Sequence, residues 1–178
     1  MKRKTEEQRG GILSHPRTSK APQLPKTACW KSSLPQTEKE EMSNSPLILL
    51  IDGNHEDREY YAQRLRISAP DLVVVHAADG KSGLALCKPQ SIDCVVLEID
   101  LPDMSGFEVL LKLVPLVQHP EIAVIVLTRL ANQYLLEAAL KNGAQAALHK
   151  TMASGDLLYM TVLKAISAVQ MDRKRPAL

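Results

Sequence analysis

The chain has 178 residues, 45% of them hydrophobic and 24% charged, which is enough for one domain with a sizeable buried core. Its formal net charge of +2 hides a division: residues 1–45 carry +4, residues 46–171 carry −4 and residues 172–178 carry +2. An acidic body with basic ends argues against a nucleic-acid-binding domain. No apolar run approaches a membrane span, and the basic start is not followed by the apolar stretch of a secretory signal.

Residues 1–45 are expected to be disordered. Pro16, Pro22, Pro25 and Pro35 stand among Ser, Thr, Lys and Gln with few large apolar groups. Such a segment cannot bury enough surface to offset its ordering entropy. Trp30 is its one aromatic residue. Met42 stands just before the first strand, so residues 1–41 also read as an upstream extension of the reading frame. Cys29, Cys87 and Cys94 are odd in number and lack metal-ligand spacing, which suits free thiols in a reducing cytosol. A cytoplasmic location is expected.

From Pro46 the chain alternates between strands and helices. Leu47–Ile51 is an apolar strand, and Asp52-Gly53-Asn54 is the turn at its carboxyl end. Asn54 can cap a helix to about Ile67, with Glu56 and Asp57 well placed in its first turn. Leu72–His76 is the second strand. Lys81–Lys88 is a short helix stopped by Pro89. Val95-Val96-Leu97 is a third apolar run, ending in the carboxylate of Glu98. A helix from Ser105 to about Gln118 follows, kinked or shortened by Pro115. Ile122–Leu127 is the fourth strand, and Asn132–Lys141 is a helix closed by Asn142-Gly143. Gln145–His149 is a weak fifth strand, and Ala153–Met171 is the last helix. Continuous apolar strands alternating with helices predict a doubly wound α/β sheet with both faces covered.

In such sheets, sites lie at the carboxyl ends of strands, where Asp52, Glu98, Asp100, Thr128 and Lys150 stand. Each is ordinary alone: Asp52 as a helix N-terminal acid, Lys150 as a solvated loop charge. Asp52-Gly53-Asn54-His55 is no glycine-rich phosphate loop, and the five histidines (15, 55, 76, 119 and 149) are scattered, so an enzyme reading finds little support.

Glu98, Pro102 and Gly106 follow an acid-x-x-x-Pro-x-x-x-Gly pattern after an apolar strand. This pattern resembles the receiver domain of two-component response regulators, and the resemblance covers about residues 46–171. It implies a flavodoxin-like (βα)5 fold with five parallel strands in the order 2-1-3-4-5. It also implies roles. Asp52 matches the first of two metal-binding acids, and Gly53 stands where the second belongs. Glu98 stands at the phosphoacceptor position, where the family has Asp. Asp100 could offer a backbone carbonyl to a metal. Thr128 and Lys150 match the hydroxyl and the ammonium that bind phosphoryl oxygens. Thr151 replaces the usual proline, Ala147 the aromatic switch residue, and Arg129 a small residue.

These departures have physical consequences. Glutamate outreaches aspartate by one methylene, about 1.5 Å. Misplacing a reacting group by about 1 Å can cost on the order of a hundredfold in rate. Gly53 removes a ligand that Mg²⁺ would use, so only weak Mg²⁺ binding is expected. The longer Glu98 carboxylate is expected to pair with Lys150 and to accept from Thr128, imitating the modified state. The resemblance thus implies a phosphorylation-independent receiver that acts by protein binding and is not an enzyme. The other reading is a working phosphoacceptor at Glu98 or Asp100 served by a sensor histidine kinase. The expected partners are such a kinase or a downstream effector. Few residues follow the last helix, so no attached output domain is expected.

The family commonly signals through helix four, strand five and helix five. Here that face carries Tyr134, and the last helix holds Leu157, Leu158, Tyr159 and Met160 in succession. Four consecutive apolar residues cannot share one face. A homodimer or partner complex through Tyr134, Leu157, Tyr159 and Met160 is therefore expected.

The division of the chain predicts a protease result. Limited trypsin digestion should cut within residues 1–45 before it touches 46–171. A chain starting at Met42 should melt within about a degree of the full chain. A large drop in melting temperature would mean that the extension docks.

Overall fold

The structure is a computed structural model that describes residues 45–88 and 91–173. The expected N-terminal extension, Pro89 as helix stop and most of the basic tail lie outside the described residues. The strands are β1 (Leu47–Ile51), β2 (Val73–Ala77), β3 (Cys94–Leu97), β4 (Ala123–Thr128) and β5 (Ala146–His149). The helices are α1 (His55–Ser68), α2 (Gly80–Cys87), α3 (Gly106–Leu113), α4 (Gln133–Lys141) and α5 (Gly155–Arg173). All strand pairs are parallel, in the order β2-β1-β3-β4-β5. This is the expected flavodoxin-like arrangement.

The apolar strands read as continuous runs because both faces are covered. Alternate residues go to opposite sides. Ile48, Leu50, Cys94, Val96, Ile125 and Leu127 pack with Tyr61 and Leu65 of α1 and Leu158, Val162 and Ile166 of α5. Leu49, Ile51, Val95, Leu97, Val124 and Val126 pack with Val109 and Leu110 of α3 and Ala139 of α4. Burying a Leu or Ile side chain contributes about 1.5–3 kcal/mol. These two layers therefore carry most of the stability and hold the strand ends in register.

Register decides what meets at the top of the sheet. Ile51 pairs with Leu97, so Asp52 and Glu98 emerge side by side. Thr128 pairs with His149, so Arg129 and Lys150 emerge together. Leu97 pairs with Val126, which places Lys150 two residues beyond the level of Glu98. Only a long side chain can reach back that far.

Strand limits shift by about one residue, and two helix ends differ further. Helix α3 ends at Leu113 rather than running to Gln118. Its cap Val114 has φ −124° and ψ 71°, out of the helical region, as expected of a residue before proline. Helix α5 continues to Arg173, two residues past the expected end.

Two features pin the β3–α3 connection. A Cβ on Gly106 would lie 2.3 Å from the carbonyl oxygen of Glu98, so only glycine lets the helix start this close to the strand end. The Asp103 carboxylate accepts from the backbone N–H groups of Gly80 (2.8 Å) and Lys81 (3.0 Å), at the start of α2. Gly143 closes α4 with φ +96°. Among the described residues, no helix is long and apolar enough to cross a membrane.

Candidate functional site

At the carboxyl end of the sheet lies an open cup of about 370 Å³ whose lining includes Asp52, Asp57, Glu98, Asp100, Arg129 and Lys150. Lys150 follows β5, and its N–H donates to the Thr128 carbonyl at 2.8 Å. Its ammonium donates to Asp52 Oδ2 at 2.5 Å and to Asp57 Oδ2 at 2.7 Å, and it lies 2.8 Å from Glu98 Oε2. The Lys150 side chain is 6% exposed.

Each carboxylate is also held from behind. Asp52 Oδ1 accepts from the Asn54 N–H at 2.8 Å, closing the turn that leads into α1. Glu98 Oε1 accepts from the N–H groups of Ile99 (2.7 Å) and Asp100 (3.2 Å). Asn54 caps α1 by accepting from the Asp57 N–H at 3.0 Å. Asp57 then takes two bonds from Arg129, from Nε at 2.9 Å and from Nη2 at 2.5 Å. Arg129 is fixed at its backbone as well. Its N–H points to Glu98 Oε2 at 3.4 Å, and its carbonyl accepts from His149 Nε2 at 2.9 Å.

The ion-paired cluster therefore sets three carboxylates against one ammonium and one guanidinium, a formal charge of −1, and exposed Asp100 adds a further negative charge at the rim. Burial pushes the Asp52 carboxyl up from its ordinary value, more than its hydrogen bonds from Lys150 and Asn54 pull it down. Burial also raises Asp57, but hydrogen bonds from Arg129 and Lys150 outweigh it and hold that carboxyl below the usual range. Burial alone would lower Lys150, yet its bonds to Asp52, Asp57 and Glu98 raise it above an ordinary lysine.

Asp52, Glu98 and Lys150 meet. Thr128 is fully buried, but its hydroxyl does not bond Glu98: Oγ1 accepts from the Leu130 N–H at 3.1 Å. The reason is the turn after β4, which presents that N–H to Oγ1, while Glu98 turns to backbone N–H groups of its own loop. Asp100 lines the cup, but its side chain is exposed and makes no ion pair with Lys150. The sequence marks Asp57 only as a favourable first-turn acid. That position at the head of α1, above the same sheet edge as Asp52, was the available signal. On the face toward α4 and α5, Tyr134, Leu157 and Met160 are exposed at 81%, 42% and 50%. Tyr159 is the exception and packs against the core.

For metal ligation, Asp52 and Glu98 each have both oxygens engaged by N–H groups. Gly53 supplies no donor. A Cβ there would sit 3.1 Å from Pro102 Cδ. Among the described residues, no group of three or more His, Cys, Asp or Glu is placed to hold a metal ion.

Residues 48–161 match the family model of the response regulator receiver domain. The nitrate/nitrite response regulator protein NarL of Escherichia coli (strain K12) is 29% identical over 147 residues, covering 75% of this chain and 68% of NarL. The transcriptional regulatory protein UhpA of Salmonella typhimurium is 33% identical over 112 residues, 62% of this chain and 54% of that protein. The crystal structure of a CheY-like receiver domain protein from Methanospirillum hungatei aligns with a TM-score of 0.64 at 23% identity, over 72% of this chain and 99% of that one. A receiver domain protein from Clostridium thermocellum gives 0.62 at 26%, over 71% and 98%.

The charge arrangement predicts a pH signature. Asp57 is depressed in the fold, so its stabilisation is present above the unfolded value of about 3.9 and is lost as pH falls through the folded value. Lys150 is raised, so its contribution is present below about 10.4 and is lost as pH rises through the folded value. Asp57→Asn should reduce stability at pH 7 by about 1 kcal/mol. Urea melts at a series of pH values should show that difference closing in acid. A gap that stays constant to pH 2 would contradict the assignment.

Proposed function

The chain belongs to the response regulator receiver family of two-component signalling, and on that premise we propose a receiver that works by protein binding without being phosphorylated. The observation that carries this reading is the Glu98 carboxylate. It stands where the family has its phosphoacceptor, 2.8 Å from the Lys150 ammonium. A fixed negative group thus sits where a phosphoryl group would bring charge, and it needs no kinase to put it there. Further support comes from Gly53, which removes one acid, and from Ala147, which replaces the side chain that reports modification in the family.

The donor set does not fit Mg²⁺ either. Mg²⁺ requires well-placed oxygen ligands in near-octahedral geometry. Here the inward oxygens of Asp52 and Glu98 face an ammonium, which already supplies the positive charge. Binding is accordingly expected to be weak. Within this reading Asp52 and Glu98 serve as anchors for Lys150, and Thr128 as a strand-end residue. The protein is a binding module in a phosphorelay, and its partner is a signalling protein such as a histidine kinase or a downstream effector.

Incubation with acetyl phosphate and Mg²⁺, followed by intact-mass measurement, tests this directly. The expected result is no chain carrying the added mass of a phosphoryl group. Labelling that approaches one group per chain, mapped to Glu98 or Asp100, would favour the phosphoacceptor reading instead.

The working surface is proposed to be the face of α4, β5 and α5, with Tyr134, Leu157 and Met160 at its exposed part, used for a homodimer. Changing Leu157 and Met160 together to Lys should abolish self-association in sedimentation across a dilution series. The melting temperature should stay nearly unchanged, because neither side chain belongs to the core. Tyr159 is left intact because its ring supports that core. A wild type that sediments as a monomer at every concentration would rule the homodimer out.

A further inference from the structure

A lysine ammonium has three N–H bonds to donate. Lys150 donates to Asp52 and Asp57 and pairs with Glu98 at 2.8 Å, so all of its charge is engaged. Two of these carboxylates stand where the receiver pattern has acids. Asp57 does not: it comes from the first turn of α1. It is not free to swing away, because Arg129 holds both its oxygens, at 2.5 and 2.9 Å. Arg129 in turn is tied at its backbone to Glu98 and His149. The Asp57–Arg129 pair is therefore a strap across the cup, from the head of α1 to the end of β4.

We infer that Asp57, strapped by Arg129, is a third block on phosphoryl transfer, separate from Glu98 and Gly53. It occupies the Lys150 donor that a phosphoryl oxygen would need, and it puts a negative charge in the path of an anionic donor. This inference rests on the reading of a non-phosphorylated receiver and adds a residue to it. It follows that restoring the two family carboxylates is insufficient. In a restored chain, a carboxylate oxygen at position 98 would attack the phosphorus of acetyl phosphate. One P–O bond forms, the bond from phosphorus to the acetyl oxygen breaks, acetate leaves with the electron pair, and no proton is transferred. While Asp57 stays in place, it competes with the incoming phosphoryl oxygens for the Lys150 ammonium.

The test compares three full-length chains: the wild type, Gly53→Asp/Glu98→Asp, and that pair combined with Asp57→Ala. The Gly53 substitution requires Pro102 to give by a few tenths of an ångström. Circular dichroism melts and Mg²⁺ titration therefore accompany each chain. Where Asp57→Ala lowers the melt too far, Asp57→Leu removes the charge and the acceptor and keeps the volume. Each chain is incubated with acetyl phosphate and Mg²⁺ and weighed intact. The expected result is an unlabelled wild type, a poorly labelled double variant, and at least tenfold more label on the triple variant. With a silent wild type, equal labelling of the double and triple variants overturns this inference alone. So does a folded, Mg²⁺-binding triple variant that labels no better than the double. A labelled wild type overturns the underlying reading as well.

Discussion

The top of this molecule is organised by one ammonium. Lys150 gathers carboxylates from the end of β1, the head of α1 and the end of β3, and its own strand supplies the fourth corner. Groups this little exposed do not tolerate an unpaired charge. Removing one partner of a buried pair commonly costs about 3–5 kcal/mol, because the other is stranded. A single cation among three anions makes that dependence many-sided. Without Lys150 the carboxylates would face one another. Burial raises both aspartates; at Asp57 the hydrogen bonds from Arg129 and Lys150 outweigh it and hold the carboxyl below its ordinary value, while at Asp52 burial wins and pushes it above its own.

That cluster exists because the sheet beneath it is rigid. Two apolar layers clamp the strands on both faces, and the parallel register delivers Asp52 beside Glu98 and Arg129 beside Lys150. Gly106 lets α3 begin against the Glu98 carbonyl, and Asp103 ties the same connection to the start of α2. The loop that carries Glu98 is thus held from two sides. The Glu98 carboxylate is oriented as well, since one oxygen takes backbone N–H groups and the other faces Lys150. The extra methylene relative to an aspartate is therefore used as reach.

Much of this was legible in the residues alone. The apolar runs at Leu47, Val95 and Ile122 read as buried strands because a parallel sheet covers both faces. Asp52, Glu98 and Lys150 read as site residues because they end strands. Pro115 carried the warning that α3 would be short, although its effect reached back to Val114. Other features left no local mark. Tyr159 sits within a run of apolar residues on α5, and only the packing of that helix separates it from exposed Leu157 and Met160. Thr128 matched a hydroxyl position, yet the turn that follows β4 offers it the Leu130 N–H.

The sequence by itself determined the layer architecture, the strand order through its family pattern, and the edge of the sheet where charge collects. It could do so because hydrophobic period and strand-end position are local properties of the chain. Only the tertiary structure decided that Asp57 belongs to the cluster. Its partners Arg129 and Lys150 lie 72 and 93 residues away in the chain, and no spacing rule links a first-turn acid to either. Their meeting depends on the angle of α1 over the sheet, on the length of the lysine stem and on the turn after β4. These are three-dimensional quantities, set by the packing of the whole domain.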